Sequence, residues 1–178
     1  MSQLGKFIES LQVRVVNTGF REVVSPLLYN GWDNEKNILL LNHSANLSVG
    51  DKNSIIKSEG TFFIPQGQQV LFRLGNSKTN VNESVNGFSG EEHRRKYLKE
   101  LSGIKPWDKK QEVITVVIFE VLLYNAIPFF PLLEMPALTI PADKEFSYLI
   151  NHLALEKEQN KLGKDIIMNN YIDRKSTR

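Results

Sequence analysis

Apolar positions along this chain fall into short bursts whose period changes with position. Leu4, Phe7, Ile8 and Leu11 recur at three- and four-residue intervals, which predicts a short amphipathic helix over 2–12. From Val13 onward the bursts become shorter and turn formers break them. They predict strands at 13–16, 21–24, 27–32, 38–43, 46–49, 53–57, 61–64 and 70–74. Gly19, Pro26, Asn30-Gly31, Gly50-Asp51, Glu59-Gly60 and Pro65-Gln66-Gly67 supply the punctuation. Short strands at nearly regular spacing predict a sandwich or barrel.

The series breaks at Gly75–Gly90, a stretch rich in Asn and Ser that reads as a mobile loop. Ser89 and Glu92 have capping-box spacing, and Tyr97, Leu98 and Leu101 form one stripe, so a helix is expected over 90–102, ended by Gly103. Glu112–Tyr124 is a long β-branched run suited to a buried strand. After Pro141 the period becomes helical again. Phe146, Leu149, Ile150 and Leu153 share a face and Asp143 is placed to cap it. A turn near 160–163 leads to a second helical piece with Leu162, Ile166 and Tyr171. The expected architecture is mainly β (α+β). A β domain over 1–141 would carry the loop and short helix at 75–110, and a two-helix segment would follow over 142–174.

With 178 residues, 41% of them hydrophobic and 24% charged, the chain suits one globular domain with a full core. Its net charge of +2 does not by itself argue for nucleic acid. The lack of cysteine excludes disulfides, thiolate zinc sites and a cysteine nucleophile, and fits a cytoplasmic location. The most apolar stretch, Val113–Met135, is interrupted by Glu120, Asn125, Pro128, Pro131 and Glu134, which argues against a membrane span.

Gly60-Thr61-Phe62-Phe63-Ile64-Pro65-Gln66-Gly67-Gln68-Gln69-Val70-Leu71-Phe72 reads as strand, Pro-x-Gly turn and strand. Pro65 fixes one backbone angle, and Gly67 supplies a conformation that a Cβ resists. The spacing resembles the second motif of the cupin barrel, a double-stranded β-helix or jelly roll. That motif places a metal-binding histidine where this chain has Val70. Together with Ile127-Pro128-Phe129-Phe130-Pro131-Leu132-Leu133 and a helical tail from Asp143 that includes Glu156 and Gly163, the order of pieces over 25–173 resembles the N-terminal effector-sensing domain of AraC-type transcription regulators. In such domains the barrel holds a small effector and the following helices form the dimer contact. The family's helix-turn-helix part, about 100 residues, has no counterpart before Arg178. DNA would then be met only through a domain outside this chain.

The residues refine this expectation. His43, His93 and His152 are the only histidines, and no His-x-His occurs, so a metal is not expected. Strand alternation groups Val70, Phe72 and Leu74 as lumen residues, with His43 and Trp32 at the rim of the pocket. Such a lumen suits a largely apolar ligand held by a few polar groups. Phe146, Leu149, Ile150, Leu153 and Ile166 form the expected dimer surface, with packing on the chain's own barrel as the competing use of that stripe. Residues 91–110 carry seven cations and four anions, a mixture that reads as a solvated surface rather than a phosphate contact. No nucleophile elbow or phosphate loop is present. A non-enzymatic sensor and dimerisation module without cofactor is therefore expected. A metal-dependent cupin enzyme (dioxygenase or isomerase) and a stand-alone binding protein are the alternatives.

Overall fold

The computed structural model describes residues 3–33, 35–50, 55–57, 60–75, 95–102, 111–133, 135–141 and 143–158, with backbone alone at 28–33, 55–57, 69–70, 72 and 157–158. A helix α1 (Gln3–Glu9) precedes eleven strands among the described residues: β1 (Leu11–Val23), β2 (Leu27–Asp33), β3 (Asn37–Asn42), β4 (Leu47–Gly50), β5 (Ile55–Lys57), β6 (Thr61–Ile64), β7 (Gln69–Leu74), β8 (Leu98–Leu101), β9 (Val113–Leu123), β10 (Ile127–Pro128) and β11 (Leu138–Ile140). Helix α2 (Lys144–Glu158) follows. None of the described helices is long and apolar enough to cross a membrane.

All pairings are antiparallel, and the long-range ones nest. β1 pairs with β9, β2 with β7, β3 with β6, and β4 with β5. The hydrogen-bond paths are β11-β6-β3-β9-β1-β8, with β10 beside β9, and β2-β7-β4-β5. The expected barrel thus resolves into two sheets, which do not close edge to edge among the described residues. They share a core. Ile38, Leu40, Phe62, Ile64 and Ile114 of the larger sheet meet Leu27, Leu47, Val49 and Leu74 of the smaller one. Alternation explains the assignment, since residues two apart on each strand face the same way.

The larger sheet is covered on its other face as well. Val117, Phe119, Val121, Leu41 and Phe63 pack there with Ile150 and Leu153 of α2, flanked by Phe129, Phe130, Ile140 and Phe146. Phe130 meets Phe63 edge-on at 4.8 Å between ring centroids. A strand covered on both faces is what the run Val113–Phe119, apolar except for Thr115, encodes, because each face must find cover.

Local chemistry ties the elements down. Gly67 has φ +78°, and the turn joining β6 and β7 is held by Asn37, whose Oδ1 accepts from Gln66 N at 3.0 Å. Asp143 caps α2 as the sequence indicates, its Oδ1 accepting from Glu145 N at 2.9 Å.

Three expectations need correction. The strands expected at 13–16 and 21–24 merge into the single strand β1, which ends at Val23, because Gly19 lies in mid-strand beside Val116 rather than in a turn. Residues 98–101 are a strand, not the end of a helix. Their pairing with Phe20–Val23 satisfies the backbone of β1 on its open side, and Val24 N donates to Tyr97 O at 2.9 Å. The N-terminal helix ends at Glu9, and Leu11 already pairs with Leu123. The expected loop at 76–90 and the second C-terminal helix lie outside the described residues.

Candidate functional site

The surface with the most varied chemistry is the face of the larger sheet that looks towards the smaller one. Register defines its members. On β9 they are Ile114, Val116, Ile118, Glu120 and Leu122. Their β1 partners are Arg21, Gly19, Asn17, Arg14 and Gln12. Val16 is the extra residue of a bulge between Val15 and Asn17 and is exposed. Lys36, next to the start of β3, forms an ion pair with Glu120. An apolar floor therefore lies beside a polar strip. Although β9 is central in its sheet, Val116 and Ile118 pack against the core between the sheets and yet stay partly exposed.

Arg21 dominates the strip. Its side chain is 9% exposed, and its Nη2 lies 2.7 Å from Glu100 Oε1. Nη1 donates to Phe20 O at 2.9 Å. The guanidinium lies back over Gly19, with Nη1 only 2.7 Å from where a Cβ would stand. Glycine at 19 is thus the space that lets a cation lie flat against the sheet.

The opposite face of the same sheet holds a second polar group, under α2. His43 Nε2 is 2.7 Å from Thr115 Oγ1, and the Thr115 hydroxyl donates to Asn151 Oδ1 at 3.0 Å. Because that hydroxyl has one proton, His43 must donate to it, which selects the Nε2–H imidazole. Burial pushes the His43 pKa below its ordinary value, partly offset by its hydrogen bond with Asn151. Thr18, also on this face, is 1% exposed, and its hydroxyl has no hydrogen-bond partner among the described residues. This chain of polar groups fastens the helix to the sheet.

The residues expected from sequence separate accordingly. Leu74 lies between the sheets, buried with Leu27 and Leu47. Val70 pairs with Trp32, and Phe72 with Tyr29, in the β2–β7 ladder, but the side chains of Val70, Phe72 and Trp32 fall outside the described residues. His43 is a correction. It follows Leu39 and Leu41 in alternation onto the helix-covered face and cannot border a pocket between the sheets. Ile150 and Leu153 are a second correction. Both are buried against Val117 and Phe119 within the same chain, leaving them no surface to offer a second copy. Phe146 packs on that cluster too, Leu149 is partly covered, and Ile166 lies outside the described residues.

Sequence reasoning missed Arg21, Gly19 and Glu100. Gly19 was the available signal, since a glycine between strand formers marks a close approach as often as a turn. Among the described residues no three His, Asp or Glu side chains gather as a metal ion requires. No protein-family model matches this chain, and no curated protein matches it.

Proposed function

We propose that this chain is a small-molecule-binding sensor module, a cupin-type jelly roll of the kind found in AraC-type transcription regulators. Its ligand sits between the sheets against β1 and β9. The observation that supports this reading is the nested pairing β1–β9, β2–β7, β3–β6, β4–β5 in two sheets with a common core, as a jelly roll would have. The partly exposed Val116 and Ile118 beside Asn17 and Arg21 supply a mostly apolar surface with a few polar groups. Lys36 with Glu120, and Arg21 with Glu100, are ion pairs suited to orienting a ligand rather than to covalent chemistry.

Helix α2 then serves as a rigid outgrowth of the sensing sheet. Any contact with a second copy uses its outward side at Tyr148, which is 71% exposed, and not the stripe spent on the core. The test is thermal melting against a library of sugars, aromatic compounds and apolar metabolites. A ligand at a hundred times its Kd stabilises by about 2.7 kcal/mol, which for a chain of this size raises Tm by roughly 5–10 °C. Replacing Val116 by Trp puts a bulky ring on the same inward face as Arg21 and should abolish that rise. A library that leaves every melting curve in place refutes the proposal.

A further inference from the structure

The end of the larger sheet nearest the N-terminus carries an apolar surface that stays open to water. Leu4 and Phe7 of α1, with Tyr124, Ile127, Leu132 and Leu133, are each between 41% and 73% exposed. Local contacts make them neighbours. Phe7 packs on Phe129, with ring centroids 5.8 Å apart, and Phe129 opens the single helical turn Phe130–Leu132. Leu133 N closes that turn on Phe130 O at 3.0 Å. Tyr124 N donates to Ser10 O at 2.9 Å, just beyond α1, and Ile127 lies across Leu123 from Leu11. With about 200 Å² for a large apolar residue in full exposure, the six offer on the order of 700 Å². The largest apolar patch of an ordinary monomer is roughly 300–600 Å². A standard interface takes about 800 Å² from each partner.

Tyr124 supplies an independent sign. Ala126 N donates to Leu123 O at 3.2 Å, closing a tight turn between β9 and β10. Both central residues lie in the left-handed region, Tyr124 at φ 51° and Asn125 at φ 59°. Such turns favour Asn, Asp and Gly, whereas a bulky residue is strained there. Folding alone gives no reason for tyrosine at the first position, because the residue stands out in water. Strain kept on an exposed aromatic is explained by a contact outside the chain. The chemistry of the patch selects the partner. None of the six residues carries a charge with which to recognise a nucleic acid, an anionic lipid or an oppositely charged protein, and Lys6 and Glu9 on α1 offset each other. Contacts between identical chains are the more apolar class, and a two-fold axis lets one patch meet its own copy. We infer that this surface joins two copies of the chain around a two-fold axis, with Tyr124 as its anchor. The contact is separate from any that α2 makes through Tyr148, and it does not depend on the sensor reading.

The test is sedimentation of the whole chain across a hundredfold range of protein concentration, with melting of the dilute protein alongside. The wild type should pass from monomer to dimer at micromolar concentration. Tyr124→Asn suits the turn better but removes the ring, so stability and dimerisation should part. The dilute variant should melt no lower than the wild type. Its dissociation constant should rise at least about tenfold, since a two-fold contact loses the ring twice. Leu132→Glu alters an exposed side chain, puts like charges into the contact and should weaken it as much. Tyr148→Ala should leave the dimer intact. A protein that stays monomeric a hundredfold above micromolar overturns the inference. So does a dimer that withstands both substitutions, or one that Tyr148→Ala alone dissolves. A Tyr124→Asn protein that melts lower when dilute shows that the ring serves the fold, and overturns it as well.

Discussion

Leu153 decides whether the apolar stripe of α2 belongs to the chain's own core. It is 1% exposed and packs with Ile150 against Val117 and Phe119. Truncation to alanine removes buried carbon atoms and leaves a cavity that the sheet cannot collapse to fill, since strands are fixed by their ladders. Leu→Ala changes at such sites cost about 2–5 kcal/mol. A central figure of about 3 kcal/mol, at roughly 2–4 °C per kcal/mol for a chain of this size, lowers Tm by about 6–12 °C. Tyr148→Ala on the outward side is the control and, at the lowest protein concentration, where no second copy is bound, should stay within about 0.5 kcal/mol.

The assay is thermal or urea unfolding of the two variants and the wild type across a hundredfold range of protein concentration. Core packing predicts that the Leu153→Ala loss is the same at every concentration. A contact between copies predicts instead a Tm that rises with protein concentration in the wild type, and a Leu153→Ala defect that vanishes on dilution. A Leu153→Ala protein as stable as the wild type, or a defect confined to high concentration, refutes the packing argument.

Three further outcomes follow from single groups. The folded protein holds the His43 pKa below the ordinary value of about 6.5, so the unfolded chain binds the proton more readily. The stability from neutral His43 is full above that value and lost as pH falls through the folded pKa. Urea midpoints should therefore drop more between pH 7.5 and 5.5 in the wild type than in His43→Gln, and an equal or smaller drop contradicts the reasoning. Thr18→Val removes a buried hydroxyl without a partner among the described residues while keeping its shape, and should gain about 1 kcal/mol in urea unfolding. A loss of stability would mean that the hydroxyl is satisfied. Gly67→Ala meets no atom within 4 Å, so its cost is the left-handed backbone alone, about 1 kcal/mol. An unchanged unfolding midpoint would rule out that strain.

Much of the fold is legible because its strands obey local rules. β2, β3, β4, β6, β7 and β9 fall within a residue or two of the apolar bursts, and the Pro65–Gly67 turn and the Asp143 cap are set by residues a few positions apart. What local rules cannot specify is which face is covered by what. Tyr97, Leu98 and Leu101 fit a helical stripe and an edge strand equally well. The unpaired side of β1 makes the strand, and β1 lies about eighty residues earlier in the chain. The stripe of α2 is equally readable as core or interface. Only the double burial of β9 settles that it is core.

The candidate site was hidden by a single inserted residue. Leu11, Val13 and Val15 lie on the helix-covered face, so counting by twos along β1 would put Gly19 and Arg21 on that face too. Val16 bulges out, and the count shifts by one. Beyond it Thr18 and Phe20 join the helix-covered face, while Asn17, Gly19 and Arg21 turn inward. Without the bulge, Arg21 would project towards α2 and the apolar Phe20 towards the smaller sheet. The bulge therefore does more than bend a strand. It brings a cation into the space between the sheets, and the glycine two residues before that cation provides the room it needs. Neither feature has meaning without the other, and only the pairing of β1 with β9 shows them together.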